Sequence, residues 1–147
     1  MSFAAELIRP TRKQATTSST PPLGLAAHDA IVQGLPSSAL AAISKQFSRI
    51  ETADIYAVVG ISERTAQRLK AAAPQPLDIA ASDGIHRLLR GYELALDVLG
   101  SDEAAQDWLG TEALGLEGRR PIDLLKTTPG AALVMLLLQR MLHGVFA

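Results

Sequence analysis

The sequence predicts an all-α protein, and three observations support this. Alanine and leucine dominate the apolar content while aromatics make up only 4% of 147 residues, a composition that favours helices over sheets. Apolar residues recur at helical spacing in several segments punctuated by glycine, proline and serine. No segment shows the alternation of a half-buried strand. Hydrophobic residues are 48% of the chain and charged residues 20%, which suits a packed core and argues against disorder. The length fits one small core or two very small modules.

The elements follow in order. Residues 10–22 read PTRKQATTSSTPP, and nine of these thirteen are Ser, Thr or Pro. No large apolar side chain is present there to offset the entropy of ordering, so residues 1–22 are expected to form a flexible arm. Arg9, Arg12 and Lys13 suit a solvated tail or contacts along phosphates. A short helix is expected over 26–33, stopped at Gly34-Leu35-Pro36. Ser37 and Ser38 are N-cap candidates for a helix to about Phe47, with Leu40, Ile43 and Phe47 on one face. Glu51 or Thr52 opens the next helix, which carries Ile55, Val58 and Val59 and stops at Gly60. Ser62 caps a helix to about Ala73, ended by Pro74 and Pro76.

A longer helix is expected over 82–99. Ile85, Leu88, Leu89, Tyr92, Leu96 and Leu99 form its buried stripe, leaving Arg87, Arg90, Glu93 and Asp97 on the surface. Gly100 ends it. Ser101 and Asp102 start another helix with Ala105, Trp108 and Leu109, and Trp108 reads as core rather than as a stacking platform. Gly115, Gly118 and Pro121 mark loops, with Gly118-Arg119-Arg120-Pro121 read as solvated. The last helix is expected to begin after Pro129-Gly130 and to end at Gly144. The proline pair Pro74 and Pro76 is the clearest internal boundary.

Residues 51–72, ETADIYAVVGISERTAQRLKAA, have a helix-turn-helix layout. Helical spacing places Ala66, Leu69 and Ala73 on the inner face and Arg64, Gln67, Arg68 and Ala71 on the outer one. Two arginines and a glutamine early in a capped helix suit the major groove. Arginine forks onto guanine and glutamine onto adenine, while Ser62 and Thr65 can reach phosphates. A plain αα corner with a solvated charged face fits the same segment, and the preceding helix favours DNA binding because such a pair needs a third helix to close its core. The charge distribution agrees: residues 1–75 carry a net +3 and residues 76–147 a net −4.

Toward the C-terminus the chain carries Ala105-x-x-Trp108-Leu109, then Leu114, Gly118, Pro121, Leu124-Leu125, Thr127, Gly130, Val134, Leu138, Arg140 and Gly144. In that order these positions resemble the C-terminal toxin-binding domain of the Xre/MbcA/ParS antitoxin family. Residues 60–68, Gly-Ile-Ser-Glu-Arg-Thr-Ala-Gln-Arg, resemble its Xre-like helix-turn-helix, and Leu77 to Leu89 is similar to its linking region. The resemblance covers roughly residues 35–147. Two positions depart from the family pattern. Gly84 stands where a bulkier helix former is expected, which would soften the start of the long helix. His143 stands where tyrosine is frequent.

The resemblance implies a division into a flexible arm at 1–22, a DNA-binding domain at 23–75, a linking helix at 76–100 and a toxin-binding domain at 101–147. It also implies a cytoplasmic homodimer that binds its own promoter DNA and neutralises a cognate RES-domain toxin, which consumes NAD. The DNA-binding residues would be Ser62, Arg64, Thr65, Gln67 and Arg68. The toxin-binding residues would be Arg140, His143, Gly144, Val145, Phe146 and Ala147, with the C-terminal end entering the toxin's active site. Val145 and Phe146, with a free carboxylate behind them, suit an apolar and cationic cleft, although Phe146 folding back on Trp108 or the long helix fits as well. A stand-alone helix-turn-helix regulator whose C-terminal part only dimerises is the alternative, and an adaptor without DNA contact a third.

Residue chemistry bears on partners independently. Leu133 to Leu138 are apolar on every face of a helix, so one face fills the core and the other lies in a subunit interface or inside a fully buried central helix. No enzymatic constellation is visible and no cofactor is expected. His28, His86 and His143 lack metal-ligand spacing, there is no glycine-rich phosphate loop, and the absence of cysteine excludes disulfides and thiolate metal sites. Arg140 and His143 also have a purely structural reason to stand in a last helical turn, where cations favour the dipole. The longest apolar run, residues 131–138, is too short to span a bilayer, and no secretory signal is read at the N-terminus.

Overall fold

The computed structural model describes residues 24–144, so the expected arm over 1–22 and the tail residues Val145, Phe146 and Ala147 lie outside the described residues. Among the described residues the fold is all-α: α1 (Leu25–Gln33), α2 (Ser38–Gln46), α3 (Thr52–Val59), α4 (Glu63–Ala71), α5 (Ile79–Leu99), α6 (Asp102–Leu109), α7 (Pro121–Leu124) and α8 (Thr128–Leu142). A 3-10 turn, Leu114–Leu116, precedes α7. The central element is α5, which packs on α1, α3, α6 and α8. One continuous apolar core runs from Leu35 to Leu138 and includes Leu40, Ile55, Leu88 and Ile122, all fully buried.

Three expected boundaries move, each for a local reason. The long helix starts at Ile79, because Asp78 accepts the Ala81 N–H at 2.8 Å and caps it. Ser82, expected near its start, is instead fully buried and accepts the Leu35 N–H at 2.9 Å. The helix capped by Ser62 ends at Ala71, which leaves Ala73 exposed and off the inner face. The last helix begins at Thr128, ahead of the Pro-Gly pair. Thr127 Oγ1 accepts the Gly130 N–H at 3.0 Å, and Pro129 sits in the first turn, where no backbone donor is needed.

Gly84 does not soften α5. A Cβ there would lie 2.6 Å from the Val58 carbonyl oxygen and 2.8 Å from the Val59 Cα, so the glycine is where α5 crosses the backbone of α3. Glu93 is buried rather than on the surface, and Arg87 is largely covered, because helices pack on several sides of α5. The Arg87 side chain donates to the Leu125 carbonyl at 2.9 Å and the Lys126 carbonyl at 3.3 Å, and pairs with Asp83. It thereby satisfies carbonyls at the C-terminal end of α7 that have no helical partner.

Candidate nucleic-acid and partner interfaces

The turn between α3 and α4 is made by Gly60 at φ 85, whose N–H returns to the Tyr56 carbonyl at 2.8 Å. A side chain at that backbone angle would be strained. Ile61 then packs toward the core, and Ser62 Oγ caps α4 by accepting the Thr65 N–H at 3.0 Å. Helix α4 packs on α2 and α3, forming the three-helix arrangement that a helix-turn-helix requires.

Only Ala66 of α4 is fully buried, with Leu69 partly so. Arg64, Gln67 and Arg68 are exposed, and their side chains make no hydrogen bond or ion pair with the described residues. The Ser62 and Thr65 hydroxyls lie 3.0 Å apart, within hydrogen-bond distance of each other. Lys70, on the same helix, is held instead: its Nζ donates to the Tyr56 hydroxyl at 2.6 Å and lies 5.3 Å from the centre of that ring.

The two halves of the chain are joined by contacts that no short motif signals. Arg120 is only partly solvated, and its guanidinium is fully engaged. Its guanidinium donates two hydrogen bonds to Asp54 of α3, each at 3.1 Å, and two to Asp123 of α7, each at 2.9 Å. Hydrogen bonding to Arg120 holds the Asp123 carboxyl below its ordinary pKa, and the two acids in turn raise that of Arg120. Gln106 of α6 is buried. Its Nε2 donates to the Gln46 carbonyl and to Asp102, while its Oε1 accepts the Arg49 N–H at 2.9 Å. Tyr92 donates to the same Asp102 at 2.5 Å and meets the Phe47 ring edge-on, so burial first and the carboxylate second push its phenol pKa up. Arg49 and Asp107 form a bidentate pair in which the guanidinium keeps Asp107 below the usual carboxylate range.

The C-terminal helix is not a fully buried central helix. Val134, Leu137 and Leu138 face the core, while Leu133 and Leu136 are 54% and 46% exposed. Arg140 is exposed on the last full turn of the same helix. His143 is the exposed C-cap, and Gly144 follows at φ 67. Trp108 is partly buried against the core. The DNA-facing and partner-facing candidates therefore stand on different elements, α4 and α8. Neither α4 nor α8 packs extensively on the other. Among the described residues no helix is long and apolar enough to cross a membrane, and no cluster of acids and histidines is placed to hold a metal ion.

Comparison with known proteins follows the same division. Residues 26–90 match the family model of the antitoxin Xre-like helix-turn-helix domain, and residues 94–144 match that of the antitoxin Xre/MbcA/ParS C-terminal toxin-binding domain. The chain is 33% identical over 102 residues to the antitoxin Xre of Yersinia enterocolitica serotype O:8 / biotype 1B, an alignment that covers 69% of this chain and 68% of that one. With a three-helix helix-turn-helix layout in one half, an exposed leucine face in the other, and both halves matched in order, the chain belongs to the Xre/MbcA/ParS antitoxin family.

Proposed function

We propose that this antitoxin neutralises a RES-domain toxin that consumes NAD, and that it represses its own operon as a cytoplasmic homodimer bound to promoter DNA. In this reading residues 23–75 read DNA, 76–100 link, and 101–147 bind the toxin. The observation that carries it is the composition of α4: one fully buried residue, and an outer face of Arg64, Gln67 and Arg68 without partners among the described residues. Unpaired long cations on a rigid capped helix are what base edges and phosphates recruit. One such helix makes few contacts, so two copies on a two-fold operator are expected. Arg140, His143 and Gly144, followed by residues 145–147, face the toxin, and the last residues enter its active-site cleft.

The test has two arms. The native chain co-expressed with the product of the neighbouring reading frame should restore growth and NAD level, and a chain lacking residues 145–147 should fold yet protect less. Replacing Arg64 or Arg68 by Ala should cost about 1–3 kcal/mol of promoter binding at a base contact, or lower the salt slope by about one at a phosphate contact. Wild-type promoter affinity of the double variant at matched salt would remove the DNA assignment. Full protection by the truncated chain at equal abundance would remove the assignment of the tail.

A further inference from the structure

The groove between the turn 113–119 and α8 holds chemistry that the fold itself does not use. It is lined by Leu116, Leu133, Leu136 and Leu137 together with Arg119 and Arg140. The turn that forms one wall is closed by its own backbone. Ala113 N–H donates to the Arg119 carbonyl at 3.1 Å and Gly118 N–H to the Ala113 carbonyl at 2.9 Å. Glu117, at φ 56, is the one non-glycine residue with positive φ among the described residues. A backbone held in that region without glycine is stabilised by its surroundings and marks a shaped surface. Leu114, on the same turn, is 96% exposed.

The arginines settle what kind of occupant fits. Arg49, Arg87 and Arg120 all hold carboxylates within the chain. Arg119 and Arg140 are exposed and hold none among the described residues, although Glu117 lines the same groove. A second copy docked groove to groove would bring four guanidinium groups together against two carboxylates, and like charges in an interface are costly. An apolar segment bearing carboxylates matches both the leucines and the two cations.

We propose that this groove is a docking site for the toxin, which inserts an apolar segment carrying at least one acidic side chain, the apolar part against the leucines and the acid paired with Arg119 and Arg140. The proposal rests on the antitoxin reading given above, shares Arg140 with it, and extends the toxin-facing surface to Arg119 and the leucines of the groove. It is tested by calorimetric titration of the full-length chain with the purified toxin from the neighbouring reading frame. The native affinity should fall as salt is raised. Arg119→Glu with Arg140→Glu should weaken binding about tenfold or more, and Leu136→Asp should do the same, with helicity by circular dichroism unchanged. Arg119→Lys with Arg140→Lys should keep most of the affinity. If the native chain binds the toxin and the charge-reversed chain binds within about twofold of it, the groove assignment falls while the antitoxin reading stands. If the reversal instead leaves toxin binding intact and changes the oligomeric state by light scattering, the occupant is a second copy and the proposal is wrong. If the native chain binds no toxin, the antitoxin reading falls and the groove assignment with it.

Discussion

Helix α5 carries two glycines that face neighbours at close range, and the neighbours differ. At Gly84 the obstructing atoms are backbone, the Val58 carbonyl oxygen and the Val59 Cα of α3. At Gly91 they are the methyl carbons of Leu125, 3.1 and 3.2 Å from where a Cβ would lie. Backbone cannot rotate away, whereas a leucine can change rotamer or shift by tenths of an ångström. The crossing that seats the helix-turn-helix half is therefore set by helix backbones, and the contact that seats the C-terminal half at Gly91 is set by side-chain packing. Arg120 spans the two, with one pair of hydrogen bonds to α3 and another to Asp123 of α7.

Gly84→Ala forces α5 away from α3 and should destabilise the fold by about 2–3 kcal/mol despite the better helix propensity of alanine. A thermal midpoint within a degree of the native one would show that the crossing has slack. Arg120→Ala should cost about 1–2 kcal/mol, a figure reduced for screening because these side chains are a quarter to a third exposed. It also has a pH signature. The Asp123 carboxyl has a lowered folded-state pKa, so its contribution is complete above the unfolded value of about 3.9 and is lost as pH falls through the lower folded value. Acid unfolding should accordingly be steeper in the native chain than in Arg120→Ala, and parallel curves would count against the clamp. Gly91→Ala should stay within about 1 kcal/mol of native, since propensity gain and crowding of Leu125 oppose each other. A loss as large as that of Gly84→Ala would mean that Leu125 is as rigid as backbone.

Local and long-range contacts differ in the trace they leave in the sequence. The turn at Gly60, the Ser62 cap and the two-sided pattern of α4 are local features, and hydrophobic spacing with cap chemistry is enough to recover them. Arg120 and Asp54 are 66 residues apart and Gln106 and Gln46 are 60 apart, so nothing periodic links them. Gly84 shows in sequence only as a poor helix former; its reason is the helix on the other side of the crossing. Asp78 caps α5 two residues after Pro76, and the serine at 82 carries the same capping chemistry within the helix, so local sequence alone fits either start. For α8, spacing could show that every face is apolar. Which face stays uncovered depends on how much chain is left to surround it, and that follows from the packing of α5 and α7. The groove beside Arg119 and Arg140 depends on the same packing and on a turn held at an unusual backbone angle.

The strand-like bridge where Pro36 meets Pro76 has a kinetic consequence. Ser37 N–H donates to the Gln75 carbonyl at 2.8 Å, Gln75 N–H to Ser37 Oγ at 3.1 Å, and Leu77 N–H to the Leu35 carbonyl at 2.8 Å. These bonds close a ring of chain around α2, α3 and α4 whose ends lie 38 residues apart. Closing a loop of that length costs about 3 kcal/mol of chain entropy, which three hydrogen bonds at about 1 kcal/mol each offset with nothing to spare. The ring is therefore expected to shut only once Leu40, Ile43 and Phe47 have collected against α5, so that the bridge forms after the helices it encloses. Once shut, the backbone amides of Leu35 and Leu77 should exchange with solvent only through opening of the whole core. Their protection in hydrogen-exchange measurements would then follow global stability rather than the fraying of any one helix.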